Sequence, residues 1–281
     1  ELFPDAVWVP STKPGYILAA LCREKLGEYE KAHGKAPQII FLENHGIFYA
    51  ADTTEEIDAL TAEVSEKIKK KILFFPCKDE VECDKTLAQT LAPEIRMLYS
   101  AEGRSVVKYT AYHDIIAFAR DRAAFAPLAD SFSPDHIVYC KAHPLYVENK
   151  GEETACELEK AFREYTGKNG FMPKIIFVQG VGMFACGKTK KEADTASVVF
   201  EDAVKIATYA MSFGGAKHMS EELTSFIANW EVESYRAKVA LSGATEKRLA
   251  GKISIVTGSA QGFGAGIAEA MIREGAYVAI A

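Results

Sequence analysis

The chain nearly repeats itself. Shifting residues 37–58 by 136 positions lays them on residues 173–194, with identities at Pro37/Pro173, Ile39/Ile175, Ile40/Ile176, Phe41/Phe177, Gly46/Gly182, Phe48/Phe184, Thr53/Thr189, Glu56/Glu192 and Asp58/Asp194. A duplication of this kind constrains the fold more than any single motif, because both copies must be able to form the same unit. The match runs back through Glu28-Tyr29 against Glu164-Tyr165 and Gly34 against Gly170. After a six-residue change of offset it reaches Pro4-Asp5 against Pro134-Asp135 and Pro14 against Pro144.

Each copy reads as a short β segment after Pro-Asp (AVWVP; HIVYC), an amphipathic helix, a strand, a turn, a second strand and a long helix. The strands PQIIFLEN and PKIIFVQG are rich in β-branched residues and end in turn formers. The helices after these hairpins begin at Thr53 and Thr189 with a glutamate three residues on, the capping-box spacing. Between the copies, residues 76–131 read as a mostly helical connector. After the second copy, helical sequence from His218 leads to a polar linker, LSGATEKRLAG.

The segment beyond the linker is different in kind. A buried strand from Ile253 runs into Thr257-Gly258-Ser259, then Gln261-Gly262-Phe263-Gly264, an amphipathic helix and a second apolar strand. Glycines here serve a tight turn, close approach of backbone to a pyrophosphate and close helix packing, with the phosphates at the helix N-terminus. The fold class expected is therefore α/β, two related units with the second degenerate, followed by the first βαβ unit of a Rossmann fold.

Charge narrows the partners. A net charge of -6 argues against nucleic acid, which needs Lys and Arg to neutralise phosphates. The run KIKKK, Lys67 to Lys71, lies among glutamates and reads as a solvated helix face rather than a membrane patch. No apolar stretch reaches the roughly 18 residues that a membrane span needs. The six cysteines, at 22, 77, 83, 140, 156 and 186, show no Cys-x-x-Cys and read as reduced residues of a cytoplasmic protein. With no initiator methionine and a last strand that stops short, the chain reads as a fragment.

Two motifs compete for chemistry in the repeats. Gly182 to Thr189 fits G-x-x-x-x-G-K-[ST] between a strand and a helix. Its apolar Met-Phe-Ala-Cys centre reads instead as a returning strand, and the first copy builds the same segment with neither the second glycine nor the lysine. The other motif is Asn44-His45-Gly46, whose counterpart in the second copy is Gly180-Val181-Gly182. A lone histidine beside a turn is more often a hydrogen-bonded structural residue than a ligand, so the residues alone do not make His45 a metal ligand. His136 and His143 could line a different site or be structural.

The segment from Ile39 through Asn44-His45-Gly46 to the Thr53 helix start, with WVPSTKPG upstream, resembles the class II aldolase/adducin family. In that resemblance His45 is the third ligand of a zinc ion whose other two ligands come as an upstream His-x-His, preceded by a glutamate base. None of the other histidines, His33, His113, His136, His143 and His218, forms a His-x-His. The spacing Thr257 to Gly264 resembles the cofactor loop of short-chain dehydrogenases/reductases, which implies NAD or NADP bound by Thr257, Gly258, Ser259, Gln261, Gly262, Phe263 and Gly264. The acidic residue that separates the two cofactors is expected just after Ala281, and the family's Tyr-x-x-x-Lys is not matched by Tyr235 and Lys238, which are three apart.

The order of parts is similar to the bifunctional rhamnulose-1-phosphate aldolase/alcohol dehydrogenase family. This implies domains at 1–75 (the C-terminal part of an aldolase-like unit), 76–131 (connector), 132–240 (degenerate repeat) and 241–281 (linker and start of the dehydrogenase). It implies a sugar phosphate and an aldehyde as small-molecule partners, no nucleic acid or membrane partner, and a homo-oligomer. A sugar-phosphate epimerase of the same fold and a metal-free, adducin-like interaction module are the alternatives.

Overall fold

The computed structural model describes residues 2–99, 103, 105–230 and 247–281. The first unit comprises β1 (Val7–Val9), α1 (Tyr16–His33), β2 (Ile39–Leu42), β3 (Gly46–Tyr49) and α2 (Thr54–Lys69). In its sheet, ordered β1-β2-β3, β1 pairs parallel and β3 antiparallel with β2. Helix α1 ends where Gly34 takes the left-handed conformation and returns its N–H to Glu30, a glycine C-cap. Helix α2 starts on the reciprocal Thr53/Glu56 capping box that the sequence predicts.

The second unit repeats this plan with β5 (Leu145–Val147), α7 (Thr154–Asn169), β6 (Ile175–Val178), β7 (Gly182–Gly187) and α8 (Lys190–Ala210). The hairpins share one register, residue for residue. Ile40 pairs with Phe48 as Ile176 pairs with Phe184, and Leu42 with Gly46 as Val178 with Gly182. Gly170 caps α7 as Gly34 caps α1.

Upstream, the structure corrects two expectations. The segment HIVYC belongs to helix α6 (Pro134–Cys140), not to a strand. The counterpart of β1 is β5, because Val7 pairs with Ile40 as Leu145 pairs with Ile176, an offset of 138 rather than 130. Residues 76–131 are also more than a connector. They hold α3 (Lys85–Tyr99), β4 (Val106–Thr110), α4 (His113–Ala119) and α5 (Arg122–Phe125), and β4 is the edge strand of the second sheet, ordered β4-β7-β6-β5. A boundary at 132 would cut that sheet from its own edge strand.

The additions α3 and β4 make the second unit the core of the molecule. On one face of its sheet, Ile175, Phe177 and Met183 pack with Phe200 and Ala203 of α8. On the other, Ile176, Val178 and Phe184 pack with Leu91 and Ile95 of α3 and with Leu158 and Phe162 of α7. With helices on both faces, every residue of β6 and β7 is buried. The first sheet has its core only beneath α1, from Val7, Val9, Ile40 and Leu42. Trp8 and Phe48 are more than half exposed, and an open apolar groove of about 710 Å³ runs along α1 from Gly15 to Glu30 and Phe48.

Helix α9 (Glu221–Ala228) comes after α8, and the predicted helix beyond Trp230 and the first part of the linker, residues 241–246, lie outside the described residues, as do Tyr235 and Lys238. The last part is β8 (Ile253–Val256), α10 (Gly262–Arg273) and β9 (Tyr277–Ile280), with the two strands parallel. Among the described residues no helix is long and apolar enough to cross a membrane.

Candidate functional site

His45 stands at the turn between β2 and β3, exposed, with its backbone N–H donating to the Leu42 carbonyl at 3.1 Å. The turn depends on Asn44, which adopts a left-handed φ of 56° that asparagine tolerates better than most side chains. In the second hairpin Gly180 holds the same place at φ 68°, and Val181 N–H donates to Val178 at 3.0 Å. The backbone frame is thus common to both copies.

The surroundings are not. Asn44 Nδ2 donates to the Phe132 and Lys217 carbonyls, both at 3.1 Å, which ties the turn to the second unit. Glu43 accepts from Ser11 N–H at 3.0 Å and pairs with Lys217, and these contacts, the Lys217 bond first, hold its carboxyl below the usual range. A crevice of about 10 Å³ between Ser11, Glu43, His45 and Met219 has room for about one water.

In the second copy the turn is roofed by β4. Val181 is fully buried, and its carbonyl accepts from Tyr109 Oη at 2.7 Å. A Cβ on Gly182 would lie 2.9 Å from the Thr110 carbonyl, whereas one on Gly46 would meet nothing within 4 Å. An imidazole at 181 would lose water and find no partner, so valine belongs there.

A zinc site needs about three or four convergent ligands. Among the described residues no three His, Cys, Asp or Glu side chains converge, and Glu43 beside His45 is already bonded. The residues present therefore do not by themselves fit the metal. They supply one imidazole.

The Gly182–Thr189 segment is not a phosphate cradle. Gly187 ends a fully buried strand, and a Cβ there would lie 2.6 Å from Ala193 N. The N-terminus of α8 is taken up by its own side chains, since Thr189 Oγ1 accepts from Glu192 N–H at 3.2 Å and Glu192 accepts from Lys188 N–H at 2.8 Å.

The later glycine loop differs. Gly258 and Gly262 take φ of 62° and 60°, and nothing lies within 4 Å of where their Cβ atoms would stand. Gly264 is the opposite case: its Cβ would come 2.2 Å from the Gly258 carbonyl, so only glycine lets α10 approach the loop. Thr257, Gln261 and Phe263 are exposed around this open helix start, while Ser259 is buried and accepts from Ala281 N–H at 3.2 Å. Unpaired N–H groups and free space over two glycines are what a pyrophosphate requires. Ser259 shapes the loop from within.

The other histidines divide. His33 stacks on Tyr29, His113 pairs with Asp114, and His218 bonds the Pro127 carbonyl. His136 is buried edge-on to Phe132, and desolvation lowers its pKa. His143 Nδ1 donates to Asp130 at 2.8 Å, which raises the imidazole and lowers the carboxyl; Lys168 opposes the first shift and adds to the second.

The raised His143 contributes stability below the ordinary histidine pKa and loses it as pH rises through its folded value. Asp130, lowered, contributes above the ordinary aspartate value and loses it as pH falls. The pair is thus strongest between about pH 4 and pH 6.5. His143→Gln is expected to lower the melting temperature at about pH 5.5 and to have little effect at about pH 9. Thermal melts at the two values check this.

Comparison with known proteins places these features. The Bacillus subtilis (strain 168) protein named uncharacterized oxidoreductase YuxG is 22% identical over 307 residues, covering 98% of this chain and 43% of that protein. The chain thus spans less than half the length of this relative. An aldolase II superfamily protein from Pseudomonas syringae aligns with a TM-score of 0.32 at 18% identity, over 60% of this chain and 55% of that one. Escherichia coli YgbL aligns with a TM-score of 0.29 at 11% identity, over 44% and 56%. The family model "Aldolase class II, second domain" matches residues 86–237, which takes in α3, β4 and the whole buried sheet. That is more than half of the chain, and the chain belongs to this family.

Proposed function

We propose that the chain is part of a bifunctional enzyme of sugar catabolism. The first activity is retro-aldol cleavage of a ketose 1-phosphate, rhamnulose 1-phosphate in the resemblance, to dihydroxyacetone phosphate and lactaldehyde. The second is NAD(P)-dependent oxidation of the aldehyde by the dehydrogenase that begins at β8. The observation that carries this reading is the order of parts: a hairpin presenting His45, a buried copy with Val181, and a βαβ unit with an open glycine loop. The class II aldolase family and the oxidoreductase-named relative support it.

In this reading the residues have separate tasks. His45 offers an imidazole, from a turn whose backbone is fixed by Asn44, toward a zinc ion. Bound zinc would supply a Lewis acid. Gly258, Gly262 and Gly264 shape the loop for the dinucleotide, NAD or NADP. A cytoplasmic homo-oligomer completes the proposal.

Two variants of the full-length protein separate the halves. His45→Ala is expected to cut lactaldehyde release by about a hundredfold or more and leave aldehyde-dependent NAD(P) reduction intact. Gly264→Ala, which drives α10 off the loop, is expected to do the reverse. Cleavage that survives His45→Ala overturns the first assignment, and dehydrogenase activity that survives Gly264→Ala overturns the second.

A further inference from the structure

His143 lies outside the activity proposed above, yet it lines a polar cleft. The cleft, about 790 Å³, lies between α7, α9 and the loops carrying Asp130 and His143. That volume is in the range of small-molecule sites. The histidine is held at both ends: its carbonyl accepts from Tyr165 Oη at 2.6 Å and its ring is bonded by Asp130.

The chemistry of the lining selects the ligand. Arg122 also lines the cleft, with its guanidinium over the Tyr146 ring and toward Glu148. Lys168, Glu157, Glu164 and Glu221 line the cleft and, among the described residues, make no ion pair or side-chain hydrogen bond. The carboxylates Asp130, Glu157, Glu164 and Glu221 outnumber Arg122, Lys168 and the Asp130-bonded His143, so a phosphate or other strong anion is disfavoured. No three of these groups converge as metal ligands, and an apolar ligand would strand charged side chains. What fits is a neutral molecule whose groups both donate and accept: hydroxyls donating to Glu157, Glu164 and Glu221 and accepting from Lys168, beside the tyrosine rings.

We propose that this cleft in the second unit binds a neutral polyhydroxylated small molecule, a free sugar or sugar alcohol. Such binding is independent of the aldolase and dehydrogenase activities.

The test is saturation-transfer NMR on the full-length protein with D-ribose, D-glucose and D-glucitol as probes, each compared with a sugar phosphate. At least one neutral probe is expected to bind saturably with a Kd of about 1 mM. Lys168→Met and Glu164→Gln, both at exposed positions, and His143→Gln are each expected to weaken it by about tenfold with the fold intact. His45→Ala should leave it unchanged. The proposal is overturned if no neutral polyol binds saturably, if a sugar phosphate displaces the bound neutral probe at a lower concentration than a second neutral sugar does, or if the Lys168 and Glu164 variants bind like the wild type.

Discussion

Phe177→Ala is expected to destabilise the protein by about 3–5 kcal/mol, while Phe41→Ala, the same residue in the other copy, costs only about 1 kcal/mol. Phe177 is fully buried, with rings of Phe125 and Phe200 centred 5.2 and 5.6 Å away and helices over both faces of its sheet. Deleting it leaves a cavity that the surrounding elements cannot close. Phe41 is half-buried against Phe3 and Trp8, and Trp8 is itself 57% exposed, so the deletion fills with water or relaxes. Denaturant titrations of both variants give the comparison. Equal losses would show that the first sheet is as deeply packed as the second.

The second large effect is a reciprocal exchange at the hairpin turn. Val181→His is expected to cost about 3 kcal/mol, because it forces an imidazole with no partner into a cluster where Tyr109, Phe184 and Ile95 already close the space. His45→Val, at an exposed position, is expected to change stability by less than about 0.5 kcal/mol. The asymmetry explains why the frame is present twice and the histidine once. Where β4 covers the turn, position 181 is core; where the turn is uncovered, position 45 is free for chemistry. A Val181→His variant as stable as the wild type would contradict this.

Much of this frame was legible in the chain because hairpin register depends on residues close in sequence. The offset of 136 predicts both hairpins and both threonine caps, and each of them occurs; Gly34 and Gly170, aligned by the same offset, also turn out to cap α1 and α7. The segment HIVYC misled because its β-branched residues come directly after Pro134-Asp135. Proline at the first helical position and an acid in the first turn are equally the marks of a helix start, and the tertiary setting chose the helix. Strand β4 carried a signal in Val106, Val107, Tyr109 and Thr110, but its place beside β7 rests on pairing across more than 70 residues, which local pattern does not reveal. The same holds for His143 and Asp130, which share no periodicity and meet only when two loops close. The glycine loop was legible as a pattern; that Ser259 turns inward to meet the chain just after β9 was not.

In the proposed function His45 is a ligand of a metal centre, and Val181 is its buried counterpart in the second copy. The most direct measurement is zinc content per chain of the full-length protein, purified without added metal, for the wild type, His45→Ala and Val181→Ala. The account predicts about one zinc in the wild type and in Val181→Ala and a loss of most of it in His45→Ala. Zinc content that is the same in His45→Ala as in the wild type would contradict it.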